Sequence, residues 1–123
     1  MASIAENVAR IREAIANAAA AAGRSVDDIA LVAVTKYAGV AEAAALRDAG
    51  CEILAESRPQ ELWKKAAAPE LQGAQWHLVG HLQRNKVNRT LPLVSLIHSV
   101  DSERLLKAVD NAAAASGVLS RVL

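Results

Sequence analysis

Five short apolar runs, roughly twenty residues apart and separated by helical stretches, constrain this chain more than any other feature. LVAV begins near position 31, EILA at 52, WHLV at 76, LVSLI at 93 and LSRVL at 119. Between them lie residues 40–49 closed by Gly50, 59–68, a short stretch over 82–89, and 102–116 closed by Gly117. Strand and helix in alternation is the signature of βα units on a parallel sheet. Parallel strands are covered on both faces, so the runs read as continuously apolar rather than alternating. A doubly wound open sheet and part of a (β/α)₈ barrel both satisfy this pattern. No G-x-G-x-x-G follows the first run, which weighs against the dinucleotide-binding version.

A helix over residues 3–22 precedes the first run. Ser3 and Glu6 have capping-box spacing, Ile4, Val8, Ile11 and Ile15 form one stripe, and Gly23 stands where a helix ends. Ser57 and Gln60 repeat that spacing ahead of the 59–68 helix, with Pro59 in its first turn. Leu105, Leu106 and Val109 give the last helix its apolar side. The run LSRVL stands at the end with no helix after it, which would leave an edge and a face uncovered. A complete barrel takes about 250 residues. The expectation is therefore a fragment: an α/β chain comprising the first four to five βα units of a partial TIM barrel, preceded by an N-terminal helix.

Composition narrows the function classes. Of 123 residues 53% are hydrophobic but only 2% aromatic, with no Phe, so the core must be built from Ala, Val, Leu and Ile. Fourteen basic and 13 acidic side chains leave a charge of +1, giving no global reason to bind nucleic acid or an anionic membrane. Cys51 is alone, so no internal disulfide forms and a reducing compartment is expected. The start, MASIAENVARIREAI, has no apolar signal core, and no stretch approaches the roughly twenty apolar residues of a membrane span. These features predict a soluble, cytoplasmic protein.

In both architectures ligands bind at the carboxyl ends of the strands. Lys36 follows the first run, Glu56 and Ser57 the second, Gly80–Lys86 the third, and His98 and Ser99 the fourth. Lys36 is the sharpest candidate. Flanking apolar residues would strip it of water and free its amine for attack on an aldehyde, although a strand-end lysine can equally reach solvent on its stem. GHLQRNK could hold an anion with its backbone amides and cations, or be an ordinary solvated helix start. Arg84, Lys86 and Arg89 form a small basic patch without interleaved aromatics, a weak nucleic-acid signal. His77 and His81 are four apart, but one falls in a strand and the other in a loop, which defeats metal geometry. His98, Trp63 and Trp76 read as packing or hydrogen-bonding groups, and Cys51 as a buried thiol.

LVAVTK, LAESRPQE, WHLVGHLQRNK and IHSVDS, in this order and at these distances, resemble the pyridoxal phosphate homeostasis proteins. The resemblance runs over essentially the whole chain, including the GRSVDDI turn. It implies a single (β/α)₈ barrel similar to the N-terminal domain of bacterial alanine racemases, with residues 1–123 as its N-terminal half. It further implies pyridoxal 5′-phosphate as the cofactor, held on Lys36 as a Schiff base with Ser57 beside it. The implied role is to buffer or deliver the cofactor in vitamin B6 balance, without turnover. Its partner would be pyridoxal phosphate, not nucleic acid or membrane. The full-length protein would be monomeric, and a fragment would be open to self-association through exposed strand edges. A pyridoxal-phosphate enzyme of the alanine racemase type is the alternative, because barrel and lysine would look alike, and an inert, solvated Lys36 is a third reading.

Two departures bear on that expectation. Related sequences commonly read Gly-Glu-Asn or Gly-Glu-Ser where this one has Ala55-Glu56-Ser57, so a methyl stands where glycine allows close approach. The phosphate site of such barrels is built from loops after late strands. On the expectation of a half barrel, these 123 residues would keep the lysine and lack the phosphate anchor, and so bind weakly.

Overall fold

The computed structural model describes residues 2–123. Its sheet contains β1 (Val32–Val34), β2 (Ile53–Glu56), β3 (Gln75–Leu78) and β4 (Leu96–Ile97), all parallel and in the order β1-β2-β3-β4. The helices are α1 (Ile4–Ala21), α2 (Val40–Asp48), α3 (Pro59–Ala66), α4 (Val87–Thr90) and α5 (Glu103–Ser116). Short 3-10 turns flank α4 at Arg84–Lys86 and Leu91–Leu93. The expected fifth strand contracts to a parallel bridge between Ile97 and Val122, with the Leu123 amide donating to the Ile97 carbonyl at 2.9 Å.

The local signals explain most helix ends. The Ser3 hydroxyl accepts the Glu6 amide and the Glu6 carboxylate accepts the Ser3 amide, completing the capping box. The Ser102 hydroxyl accepts the Leu105 amide, and Gly117 ends α5 in the left-handed conformation. Ser57 departs from expectation. Arg58 is the residue ahead of α3, Pro59 takes its first position, and no side chain caps it.

Two apolar stripes are narrower than their periodicity predicts. On α1, Val8 and Ala19 are buried, but Ile11 is 46% exposed. This helix packs on α2 and the turn Val26–Asp28, so one line of side chains is enclosed. On α5 the buried row is Leu105, Val109, Ala112 and Ala113, at helical spacing, and Leu106 starts the neighbouring row, 45% exposed.

Register divides the sheet into two unlike faces. Leu54, Trp76, Leu78 and Ile97 join the core with Leu62, Leu71, Val87, Leu91, Leu105 and Val109. The alternate residues Val34, Ala55, His77 and Leu96 form a row on the other face, and Val34 is 46% exposed. The cover expected on both faces is thus complete on the core side and partial on the other, where Ala55 and His77 are buried, Leu96 is half-buried and Val34 at the edge is exposed. Right-handed crossovers into a sheet that grows in a single direction place successive helices on the same side. The strand order contains no reversal, which a doubly wound sheet requires.

Candidate functional site

Lys36 leaves β1 inside a four-residue turn. The Thr35 carbonyl accepts the Ala38 amide at 3.0 Å, which makes Lys36 and Tyr37 the central pair. Tyr37 has φ +68°, in a position where a type II turn normally takes glycine. A side chain there costs about 1–2 kcal/mol, so the turn must be held by its surroundings. Both side chains point outward: Tyr37 is 92% exposed, and the Lys36 Nζ lies 5.8 Å from its ring centroid. The loss of solvation expected for Lys36 is therefore absent, because β1 is an edge strand on which both Val34 and Lys36 stand exposed.

Beneath this turn lies a buried polar network. The Lys65 ammonium meets the Glu56 carboxylate at 2.5 Å, with both residues at most 4% exposed. The same ammonium donates to the Thr35 carbonyl at 2.9 Å. The Thr35 hydroxyl donates to Glu56 at 2.7 Å and lies 3.1 Å from the Ala55 carbonyl. The other Glu56 oxygen accepts the Ser57 amide at 3.2 Å. Burial of two charges is tolerable only when each is paired and further hydrogen-bonded, as Lys65 is by the Thr35 carbonyl and Glu56 by the Thr35 hydroxyl and the Ser57 amide.

Lys36, Tyr37, Ser57 and Arg58 line a cleft of about 370 Å³ whose floor includes Glu56 and Lys65. The two residues singled out from the sequence, Lys36 and Ser57, are thus neighbours. Ala55 is fully buried in the row containing Val34 and His77. Behind Ser57 the chain after β3 comes so close that a Cβ on Gly80 would stand 1.8 Å from the Ser57 carbonyl oxygen. The Ser99 hydroxyl donates to the Gly80 carbonyl at 2.5 Å, so the loops after β2, β3 and β4 are stacked side by side.

The rest of GHLQRNK goes elsewhere. His81, Gln83 and Arg84 line a separate groove of about 860 Å³ with Asp101 and Arg104. Arg89 lies over the Trp63 ring at 4.2 Å, and the Trp63 indole donates to Thr90, which removes Arg89 from a free basic patch. Cys51 is buried and Trp76 belongs to the core, as expected. Among the described residues no three His, Cys, Asp or Glu side chains form a metal-binding group, and no helix is long and apolar enough to cross a membrane.

His77 and His98 meet across β3 and the end of β4, Nδ1 to Nε2 at 2.9 Å. One nitrogen must donate and the other accept, so this contact holds a single proton. Burial lowers the His77 pKa below its ordinary 6.5, and the adjacent His98 lowers it further. The sign follows from linkage. Below about pH 6.5 the unfolded chain takes up a proton that the folded His77 resists, so stability falls as pH drops. Denaturant melts from pH 7.5 downward should show this loss beginning near that value, and His77→Gln should flatten the acid limb.

Glu56 stood among the strand-end candidates without a partner, and Thr35 and Lys65 were not among them, although the signal was present. Pro59, Leu62 and Lys65 recur every three residues and are all buried, which places a cation on the apolar side of α3. Glu56 closes an otherwise apolar strand, so the matching anion was also marked.

No family model matches the chain. It is 40% identical over 119 residues to the pyridoxal phosphate homeostasis protein of Mycobacterium tuberculosis, covering 89% of this chain and 46% of that protein. The protein of the same name from Deinococcus radiodurans is 40% identical over 118 residues, covering 95% of this chain and 55% of that one. The backbone matches PipY of Synechococcus elongatus PCC7942, solved with PLP bound, at a TM-score of 0.82 and 30% identity. That match covers 98% of this chain and 52% of PipY. The chain spans about half the length of the curated relatives it matches. Sequence and backbone agree over that half, and the chain belongs to the pyridoxal phosphate homeostasis protein family.

Proposed function

We propose that this chain binds pyridoxal 5′-phosphate through Lys36 and serves cytoplasmic vitamin B6 homeostasis as a binding protein without turnover. The observation that carries the reading is the exposed primary amine of Lys36, fixed at the carboxyl end of β1 and sharing a cleft with Ser57. A space of about 370 Å³ is at the small end of ligand pockets, suited to a single-ring cofactor. When bound, the cofactor supplies an aldehyde that condenses with a primary amine to a Schiff base, releasing one water. Lys36 offers that amine from a turn that limits where its stem can start. The Ser57 hydroxyl can donate or accept one hydrogen bond at the cleft wall, and Arg58 brings a cation to the same space. The relatives' names and the PLP-bound PipY structure support this reading.

Residues 1–123 are, on this proposal, the N-terminal half of a (β/α)₈ barrel domain. The consecutive parallel order supports it, as does a match to half the length of the relatives. Barrels of this kind build their phosphate site from later loops, so the 123-residue chain should hold the cofactor weakly. Incubation with pyridoxal phosphate, borohydride reduction and peptide mass analysis test both parts. The expected result is label on Lys36 that approaches one per chain only at high cofactor concentration. Stoichiometric label at low concentration would overturn the weak-binding claim. Label on exposed lysines such as Lys64 but never on Lys36 would overturn the assignment of the amine.

A further inference from the structure

The Glu56–Lys65 pair is an expensive way to fill space. A buried ion pair contributes little net stability compared with well-packed apolar side chains of the same volume. What sets this one apart is the destination of its hydrogen bonds. Lys65 reaches the Thr35 carbonyl, the acceptor that closes the turn around Lys36 and Tyr37. Glu56 takes the Thr35 hydroxyl on one oxygen and the Ser57 amide on the other. The network therefore grips the backbone immediately before Lys36 and at Ser57, on two different strands.

Tyr37 supplies a reason for such a grip. Its positive φ opposes the turn, and a strained turn persists only where its surroundings over-determine it. The Thr35 carbonyl bonds to the Ala38 amide and to a buried ammonium at once, which fixes its direction from outside the turn. A charge-assisted bond in a buried site is about twice as strong as a neutral one, enough to offset the strain.

We infer that the buried Glu56–Lys65 pair, acting through Thr35, is a positioning device that holds the Lys36 turn against the Ser57 strand end. This rests on the reading of Lys36 as the cofactor amine. Glu56 and Lys65 are positioning residues: they act on the site through backbone they hold.

The test compares the wild-type chain with the double variant Glu56→Gln/Lys65→Met, which removes both charges together and leaves neither unpaired. Without cofactor, exchange of the Ala38 amide should accelerate about tenfold or more, while the Leu54 amide in β2 and the Ser95 amide, which donates to the Trp76 carbonyl, keep their protection. A merely structural role would move all of them together. With pyridoxal phosphate, borohydride-trapped label at Lys36 should form about ten- to a hundredfold more slowly, with labelling of exposed Lys64 unchanged. As a conservative control, Thr35→Ser should behave as wild type, whereas Thr35→Val should show part of the double variant's effect. An unchanged Ala38 exchange rate in the double variant would overturn the inference, as would uniform acceleration of every strand amide. If wild-type Lys36 takes no label, the cofactor reading fails by itself, and the exchange comparison still decides whether the pair holds the turn.

Discussion

Lys65→Met is expected to cost about 3–5 kcal/mol of folding stability, more than most core truncations, because it leaves the Glu56 carboxylate charged and unpaired. Glu56 is 1% exposed, and the Lys65 ammonium 2.5 Å away is its ion-pair partner. The Thr35 carbonyl loses one of its two donors in the same step. Methionine fills the space and cannot donate. Urea melts near neutral pH should show the loss in the midpoint with little change in slope. Adding Glu56→Gln to Lys65→Met should restore most of the stability, because the pair is gone and no buried charge remains. A single variant as stable as wild type would show that the two charges reach solvent and are not buried together.

Gly80→Ala should be nearly as damaging, and for a reason confined to the backbone. The added methyl would sit 1.8 Å from the Ser57 carbonyl oxygen, 2.6 Å from its carbonyl carbon and 2.8 Å from its Cα. None of these atoms belongs to a side chain that can rotate away, so the loops after β2 and β3 must separate. Separation strains the bond from Val79 to the Glu56 carbonyl and the bond from Ser99 to the Gly80 carbonyl. Overpacking of this severity costs about 3 kcal/mol or more, which in a domain of this size lowers Tm by about 10 °C. Because the displaced atoms are those of Ser57, labelling of Lys36 should also suffer at temperatures where the variant is folded. A melting temperature within about 2 °C of wild type would mean that the loops part freely. The cleft would then have a softer wall than the contacts describe.

Local chemistry made much of the fold readable. Ser3 and Glu6 spelled out a capping box that forms, Gly117 marked a helix end that takes the left-handed conformation, and the apolar runs located the strands. Lys36 and Ser57 were legible as strand-end residues, and the structure sets them in one cleft. What escaped depends on the partners a residue meets. Ile11 and Leu106 obey helical spacing yet stand in solvent, since spacing defines a stripe and the neighbouring element decides its width. Continuous apolar runs implied cover on both faces, but apolarity cannot say which face is met by this chain's own helices. The Ser57–Gln60 spacing imitated a cap; Arg58 stands next to the helix in its place, and the Ser57 amide goes to Glu56. Glu56 and Lys65 are nine positions apart on different elements, and only the packing of α3 on the sheet brings them together.

The consecutive strand order has a consequence for the time course of assembly. From β2 to β4, each strand pairs with the one made just before it, roughly twenty residues earlier. A chain emerging from the ribosome can therefore add one βα unit after another to a growing edge. The Lys36 turn closes early in that sequence, but the grip on it needs Lys65, so the turn becomes fixed only once α3 has arrived and docked.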